Sequence, residues 1–278
     1  MHPILNIAMQ AIRKAGNFII KQYEFFGRNN IRLPNYIQTF LNDVRNESNQ
    51  IISTIIKKFY PSHIIIDIHN THTIMSIREH NQTYWIIDSI DSDINFSKQF
   101  PFLTLSIAVQ QNKNIEIGVI YDPIHNELFS ACRGKGARFN NYHRIRLYQN
   151  NNIFPPSNNF MFTAISCDTE YTQYNNRAIR ILNKLHNSQS QMIMNFRCTG
   201  SVNLDLIYVS MGRTDGCFIL SSNKNIKLIS SVLILKESGG IITDFEGNNI
   251  NDYLFNENVI AGHPKLIKKI LPLIKKNI

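Results

Sequence analysis

Three carboxylates, Asp88, Asp91 and Asp93, crowd into the stretch 84–96, which reads YWIIDSIDSDINF. The residues before them, Tyr84 to Ile87, are aromatic and β-branched and suit a buried strand. A strand that ends in carboxylates can present them to a cation. If Asp88 leaves the sheet and the turn brings Asp91 back beside it, two side chains and the intervening Ile90 carbonyl can share a hard ion such as Mg2+. Asp-x-x-Asp at a strand end also describes a plain turn with two solvated acids, and spacing alone leaves both readings open. A second stretch with chemistry in it is RCTGSVNLDLIYVSMGRTDG, residues 197–216. There Gly200 and Ser201 open a helix whose free N–H groups can hold an anion, with Arg197 just upstream to assist. Ser201 as an ordinary N-cap accounts for the same residues.

The elements that must carry these groups follow from periodicity. Ile4, Ile7, Ala8, Ala11, Ile12, Ala15, Ile19 and Ile20 recur at helical spacing and predict a first helix stopping near Gly27. Val44, Ile51, Ile52, Ile55, Ile56 and Phe59 predict a second, ended by Pro61, and Ile64 to Ile68 a buried strand. Strands are expected at 103–109, 115–121 and 127–132, with short links that imply an antiparallel meander, and RGKGA at 133–137 reads as a turn. The polar stretch 150–159 contains Pro155 and Pro156 and marks a boundary between an N-terminal lobe, 1–150, and a C-terminal lobe, 151–278. Beyond it come a strand at 160–165, helices at 175–185, from Ser201, and at 228–238, strands at 241–244 and 259–261, and a last helix begun by Pro264. This alternation predicts an α/β protein of layered α and β structure.

Composition narrows the class. The 278 residues, 43% hydrophobic and 18% charged, describe a globular chain able to bury a sizeable core. The net charge of +9 favours acidic partners such as RNA or phosphorylated small molecules. The four cysteines lack the close pairing of a zinc site or disulfide framework, and Arg13 and Lys14 interrupt the first apolar stretch, so a cytoplasmic protein with no membrane association is expected.

In order along the chain, MHPILNIA, WIIDSID, LSIAV, YDPIHNELF, RGKGA, TGSVNLDLIYVSMGRTDG and ESGGIITDFEG resemble, essentially end to end, the inositol monophosphatase family of Mg2+-dependent sugar-phosphate phosphatases. The resemblance implies an αβαβα sandwich, a homodimer, and an active site between two lobes. It also implies that acidic side chains and one backbone carbonyl hold several Mg2+ ions, which polarise the phosphate, activate a water and neutralise the leaving oxygen. Carried over by position, Asp88 and Asp91 are the expected catalytic residues, Asp88, Ile90, Asp91 and His69 the metal ligands, and Ser92, Asp93, Arg197, Gly200 and Ser201 the substrate-binding residues.

Several family positions are substituted. Ser89 stands for a Pro, Ser92 for a Gly, and Asp93 for the Thr that positions the attacking water. Ile68 and His69 replace two Glu, Ile226 and Lys227 replace a Trp-Asp pair whose Asp is a metal ligand, and Asn35, Thr39 and Arg45 align with a Lys and two Asp. An ammonium ~4 Å from a dication at an effective dielectric of about 20 is repelled by roughly 8 kcal/mol. A largely degraded site on an intact frame is therefore expected. One bacterial branch of the family doubles as a Nus-type factor, joining the RNA polymerase complex in rRNA transcription antitermination and assisting folding of the transcript. The leading expectation is that role, with RNA polymerase, Nus factors and rRNA as partners. The competing one is an active Mg2+-dependent inositol-1-phosphate phosphatase using Asp88, Asp91, His69 and Asp93.

Overall fold

The apolar spacing at the start of the chain forms helix α1 (Pro3–Asn29), which buries Leu5, Ala8, Ile12, Ala15, Ile19 and Phe26 along one stripe. Pro34, its missing N–H harmless in a first turn, begins α2 (Pro34–Phe59), and Tyr60 and Pro61 end it. These elements come from a computed structural model that describes residues 2–29, 33–69, 82–147, 159–166, 183, 193–220, 226–250 and 258–277. Apart from residue 183, the expected helix at 175–185 lies outside the described residues, as does nearly all of the polar stretch 150–159.

Next come strands β1 (Ile64–Asp67) and β2 (Thr83–Asp88), helix α3 (Asp93–Lys98), and strands β3 (Leu105–Gln111), β4 (Asn114–Asp122), β5 (Glu127–Cys132), β6 (Gly136–Phe139) and β7 (His143–Ile145). They form one sheet in sequence order, with β1 parallel to β2 and antiparallel pairing from β2 to β6. Two local expectations shift. The strand expected from Leu103 starts at Leu105, because Thr104 is tied to Asp91 instead of to the ladder. The RGKGA turn is shorter than expected, since Gly136 and Ala137 already pair with Cys132 and Ala131 in β6.

Alternation along the strands sorts the sheet into two faces. Trp85 and Ile87 of β2, Leu105, Ile107 and Val109 of β3, and Val119 and Tyr121 of β4 pack with α1 and α2 in one apolar cluster. Each such side chain, fully buried, contributes about 1.5–3 kcal/mol. Helix α1 approaches β4 closely because Gly16 has no side chain: a Cβ there would lie 2.4 Å from the Tyr121 ring. Asp88, one residue beyond Ile87, has the opposite parity and points away from the helices.

The chain divides into two compact units, Met1–Arg144 and Ile145–Ile278. The second contains β8 (Asn159–Ser166), β9 (Ile193–Arg197), α4 (Val202–Ser210), β10 (Gly216–Leu220), a 3-10 turn (Ile226–Leu228), α5 (Ile229–Glu237), β11 (Ile241–Asp244), β12 (Val259–Gly262) and α6 (Pro264–Asn277). Its sheet runs β11-β12-β10-β8-β9. Phe218, Leu220 and Ile260 face one cluster with Leu266, Ile267 and Ile270 of α6, whereas Cys217, Ile219, Val259 and Ala261 face another with α4 and α5. Helices therefore cover both faces of this sheet, and the chain as a whole is α/β and layered, as the sequence implies.

Candidate active site

The end of β2 delivers Asp88 into the protein, where it is 2% exposed. Its register partner is Ser106 of β3, and the chain then turns back along β3, so that Asp91 meets Thr104, two residues ahead of Ser106. Asp91 is held on three sides. Its Oδ1 accepts the Thr104 N–H at 2.9 Å, its Oδ2 accepts the Thr104 hydroxyl at 2.7 Å, and its own N–H donates to the Thr104 carbonyl at 3.2 Å. Ile90, between the two acids, is buried, and its N–H donates to Asp88 Oδ1 at 3.3 Å.

His69 reaches the same carboxylate from β1. The parallel pairing of β1 with β2 continues one bond further, from Ile68 N–H to the Ile87 carbonyl at 3.1 Å, and sets His69 Nε2 3.3 Å from Asp88 Oδ1. Asp67 fixes that bend: its Oδ1 accepts the His69 N–H at 3.0 Å and its Oδ2 accepts from Asn49 of α2 at 2.8 Å. Asp88 Oδ2 and the Ser89 hydroxyl are buried and have no hydrogen-bond partner among the described residues.

Ser92 caps α3, its hydroxyl accepting the Asn95 N–H at 3.3 Å. Asp93, the first helical residue, forms a short ion pair with Arg45 of α2. The Arg45 side chain is 7% exposed and that of Asp93 40%, so the guanidinium is the buried member. Thr39, one of the other α2 positions, turns its hydroxyl onto the Asn35 carbonyl within its own helix at 3.0 Å.

The remaining expected site residues belong to the second unit. Ser201 is the N-cap of α4: it is buried and its hydroxyl accepts the Leu204 N–H at 3.3 Å. Asp205, buried in the first turn, places a carboxylate at the positive end of the helix and accepts from the Thr199 hydroxyl at 2.8 Å. Capping thus accounts for Ser201 in this unit, while Gly200 takes the left-handed backbone that leads into the cap, φ +81°. Arg197 is exposed and donates to the neighbouring Phe196 carbonyl at 2.9 Å. Lys227 lies exposed in the 3-10 turn.

The donor set can be tested against Mg2+, which wants near-octahedral oxygen coordination with carboxylates available to it. In the N-terminal unit both oxygens of Asp91 are already engaged, Asp88 shares one oxygen with an imidazole, and Asp93 is neutralised by a guanidinium. Among the described residues no three His, Cys, Asp or Glu side chains form a group that could hold a metal ion. These residues do not fit a cluster of several Mg2+ ions. Reading the sequence alone overlooked Thr104, Asp67 and Asn49 as positioning groups, and overlooked that Arg45 and Asp93 belong together. The one available signal was their opposite sign at two positions that both depart from the family.

Comparison with known proteins places the chain. The profile of the inositol monophosphatase family matches residues 1–278. A protein of Buchnera aphidicola subsp. Acyrthosiphon pisum named Nus factor SuhB is 37% identical over 280 residues, covering 100% of this chain and 98% of that relative. The Nus factor SuhB of Escherichia coli K12 is 36% identical over 279 residues, covering 98% of this chain and 95% of the relative. The crystal structure of the extragenic suppressor protein SuhB from Bartonella henselae superposes with a TM-score of 0.77 at 26% identity, covering 100% of both chains. The two units, the strand-end acids and the full-length matches agree: this chain belongs to the inositol monophosphatase family.

Proposed function

We propose that the chain acts as a Nus factor of the SuhB kind, in processive rRNA transcription antitermination and rRNA maturation, on a phosphatase frame whose hydrolytic site is disabled. Relatives at 34–37% identity that carry the Nus factor SuhB name support the transcription role. The observation that carries the loss of hydrolysis is the Arg45–Asp93 ion pair. By resemblance those two positions hold an Asp and the water-positioning Thr; here they hold a cation and an anion that neutralise each other, which removes both the negative surplus that attracts Mg2+ and the hydroxyl that would orient a water. RNA polymerase, Nus factors and rRNA are the partners in this reading, and a homodimer its assembly state.

Phosphate release from inositol-1-phosphate tests the hydrolytic half: no Mg2+-dependent rate above that of Asp88→Asn is expected. Retention of RNA polymerase and Nus factors by the tagged chain tests the other half, and its failure would end the transcription reading even with hydrolysis absent. One observation favours the competing enzyme reading. Asp88 Oδ2 is buried with no partner among the described residues, as a carboxylate awaiting a cation would be. Mg2+-dependent turnover that disappears in Asp91→Asn would establish that alternative.

A further inference from the structure

A cavity of about 220 Å³ opens between the start of α1 and the β5–β6 hairpin, all within the N-terminal unit. Its floor is one face of the hairpin, where Ser130 pairs with Arg138 and Cys132 with Gly136 across the two strands. Its wall is the first two turns of α1, with Leu5 and Met9 following His2 at helical spacing. Lys135 and Asn141 complete it. Ser130 lies in register with Val119, Ile107 and Ile87, the row facing α1 and α2, whereas Asp88 points to the other face. The cavity is thus three strands across the sheet from Asp88, roughly 14 Å at the usual strand spacing, and on the opposite side.

Its chemistry is one-sided. Lys135 and Arg138 supply two cations, and no carboxylate is among the described lining residues. A third cation stands close, because a Cβ on Gly136 would meet the Arg144 guanidinium at 3.3 Å. Arg138 is steered there by its reach to the Asn141 carbonyl at 3.5 Å. Two lining atoms, His2 Nδ1 and Asn141 Oδ1, are buried and have no hydrogen-bond partner among the described residues. Buried polar atoms are normally satisfied, and here one ligand with both an anionic and a hydroxyl end would satisfy them. The volume is below the ~300 Å³ of pockets that take drug-sized ligands, which limits the ligand to a small metabolite.

We propose that this cavity binds a small, hydroxyl-bearing phosphate ester, its phosphate on Lys135, Arg138 and His2 and a hydroxyl donating to Asn141 Oδ1. The site is separate from the candidate active site and independent of the reading of its function.

Calorimetric titration of the full chain with glycerol 3-phosphate, inorganic phosphate and glycerol tests the proposal. Glycerol 3-phosphate is expected to bind more tightly than inorganic phosphate, and glycerol not to bind. The double variant Lys135→Gln/Arg138→Gln, both positions being exposed, should weaken glycerol 3-phosphate about tenfold or more with the melting temperature kept. Asn141 has φ +69°, which glycine also adopts, so Asn141→Gly removes the acceptor without strain and should bring the two phosphates to similar affinity. Asp88→Asn should leave binding unchanged. The proposal is overturned if glycerol 3-phosphate shows no saturable binding in the millimolar range, if the double variant binds it as the parent does, or if Asp88→Asn abolishes binding.

Discussion

The end of β2 and the opening of α4 are both places where polar groups enter the protein, and they are satisfied in different ways. At α4, Ser201 caps with its hydroxyl, and Thr199 donates to Asp205 and accepts from the Ser201 N–H at 3.1 Å. Here hydroxyls and backbone do the work. At the end of β2 charged or titratable side chains meet instead: Arg45 pairs with Asp93, and His69 lies against Asp88. A catalytic site can lose its groups without unfolding the frame when each introduced charge meets an opposite one, because leaving a buried charge alone costs several kcal/mol. The end of β2 is thus a cluster whose charged side chains hold one another.

That contrast can be broken most directly at Arg45. Arg45→Ala removes a buried guanidinium and should lower the unfolding free energy by about 3 kcal/mol, near the low end for a broken buried pair because Asp93 is partly exposed and can take up water. Asp93→Asn leaves that guanidinium buried without its anion and should cost a similar amount, about 3 kcal/mol, and the double variant less than the two summed. Denaturant titration of all four proteins reads this cycle, and additivity would mean that the two substitutions are unrelated. Thr104→Val is the next test. It keeps the shape but deletes the hydroxyl donor to Asp91, and about 1–2 kcal/mol should be lost. A loss as large as that of Arg45→Ala would put the strength of the cluster in its hydrogen bonds instead of its charges.

How much of this could be read in advance differs by the range of the interaction. Helix α1 and strands β4 and β5 were legible because their apolar periods are local and strong. Asp88 and Asp91 were legible as acids at a strand end. The partner of Asp91 was not, since Thr104 lies 13 residues away and looks like an ordinary strand residue. Gly136 looked like part of a turn because its identity says little about the ladder bonds that follow. Arg45 and Asp93 could each be seen as departures from the family, but their pairing spans 48 residues and depends on how α2 meets α3. Sequence spacing carries no record of such a meeting.

The α4 side of the contrast calls for smaller effects. Ser201→Ala deletes one cap acceptor and should cost about 1 kcal/mol, measured in the same denaturant titration. A cost equal to that of Arg45→Ala would remove the distinction between a capped end and an ion-paired one.

The smallest expected effect tests whether the α4 opening holds a charge at all. Cys198 is exposed, yet partial desolvation of its sulfur pushes the thiol above its usual range, and the Asp205 carboxylate adds to the rise by opposing a second negative charge. A raised thiol pKa means less thiolate at a given pH, hence slower alkylation, with the rate climbing as pH rises towards the pKa. Asp205→Asn removes the second cause and leaves the first. The thiol pKa should fall but stay above that of an unperturbed cysteine, and alkylation of Cys198 by iodoacetamide at mildly basic pH should speed up by about two- to threefold. Because Cys198 is exposed while Cys132 and Cys217 are buried, peptide mass spectrometry can follow it separately. An unchanged rate would mean that Asp205 is neutral where it meets Thr199. The α4 opening would then be uncharged throughout, in full contrast with the ion-paired end of β2.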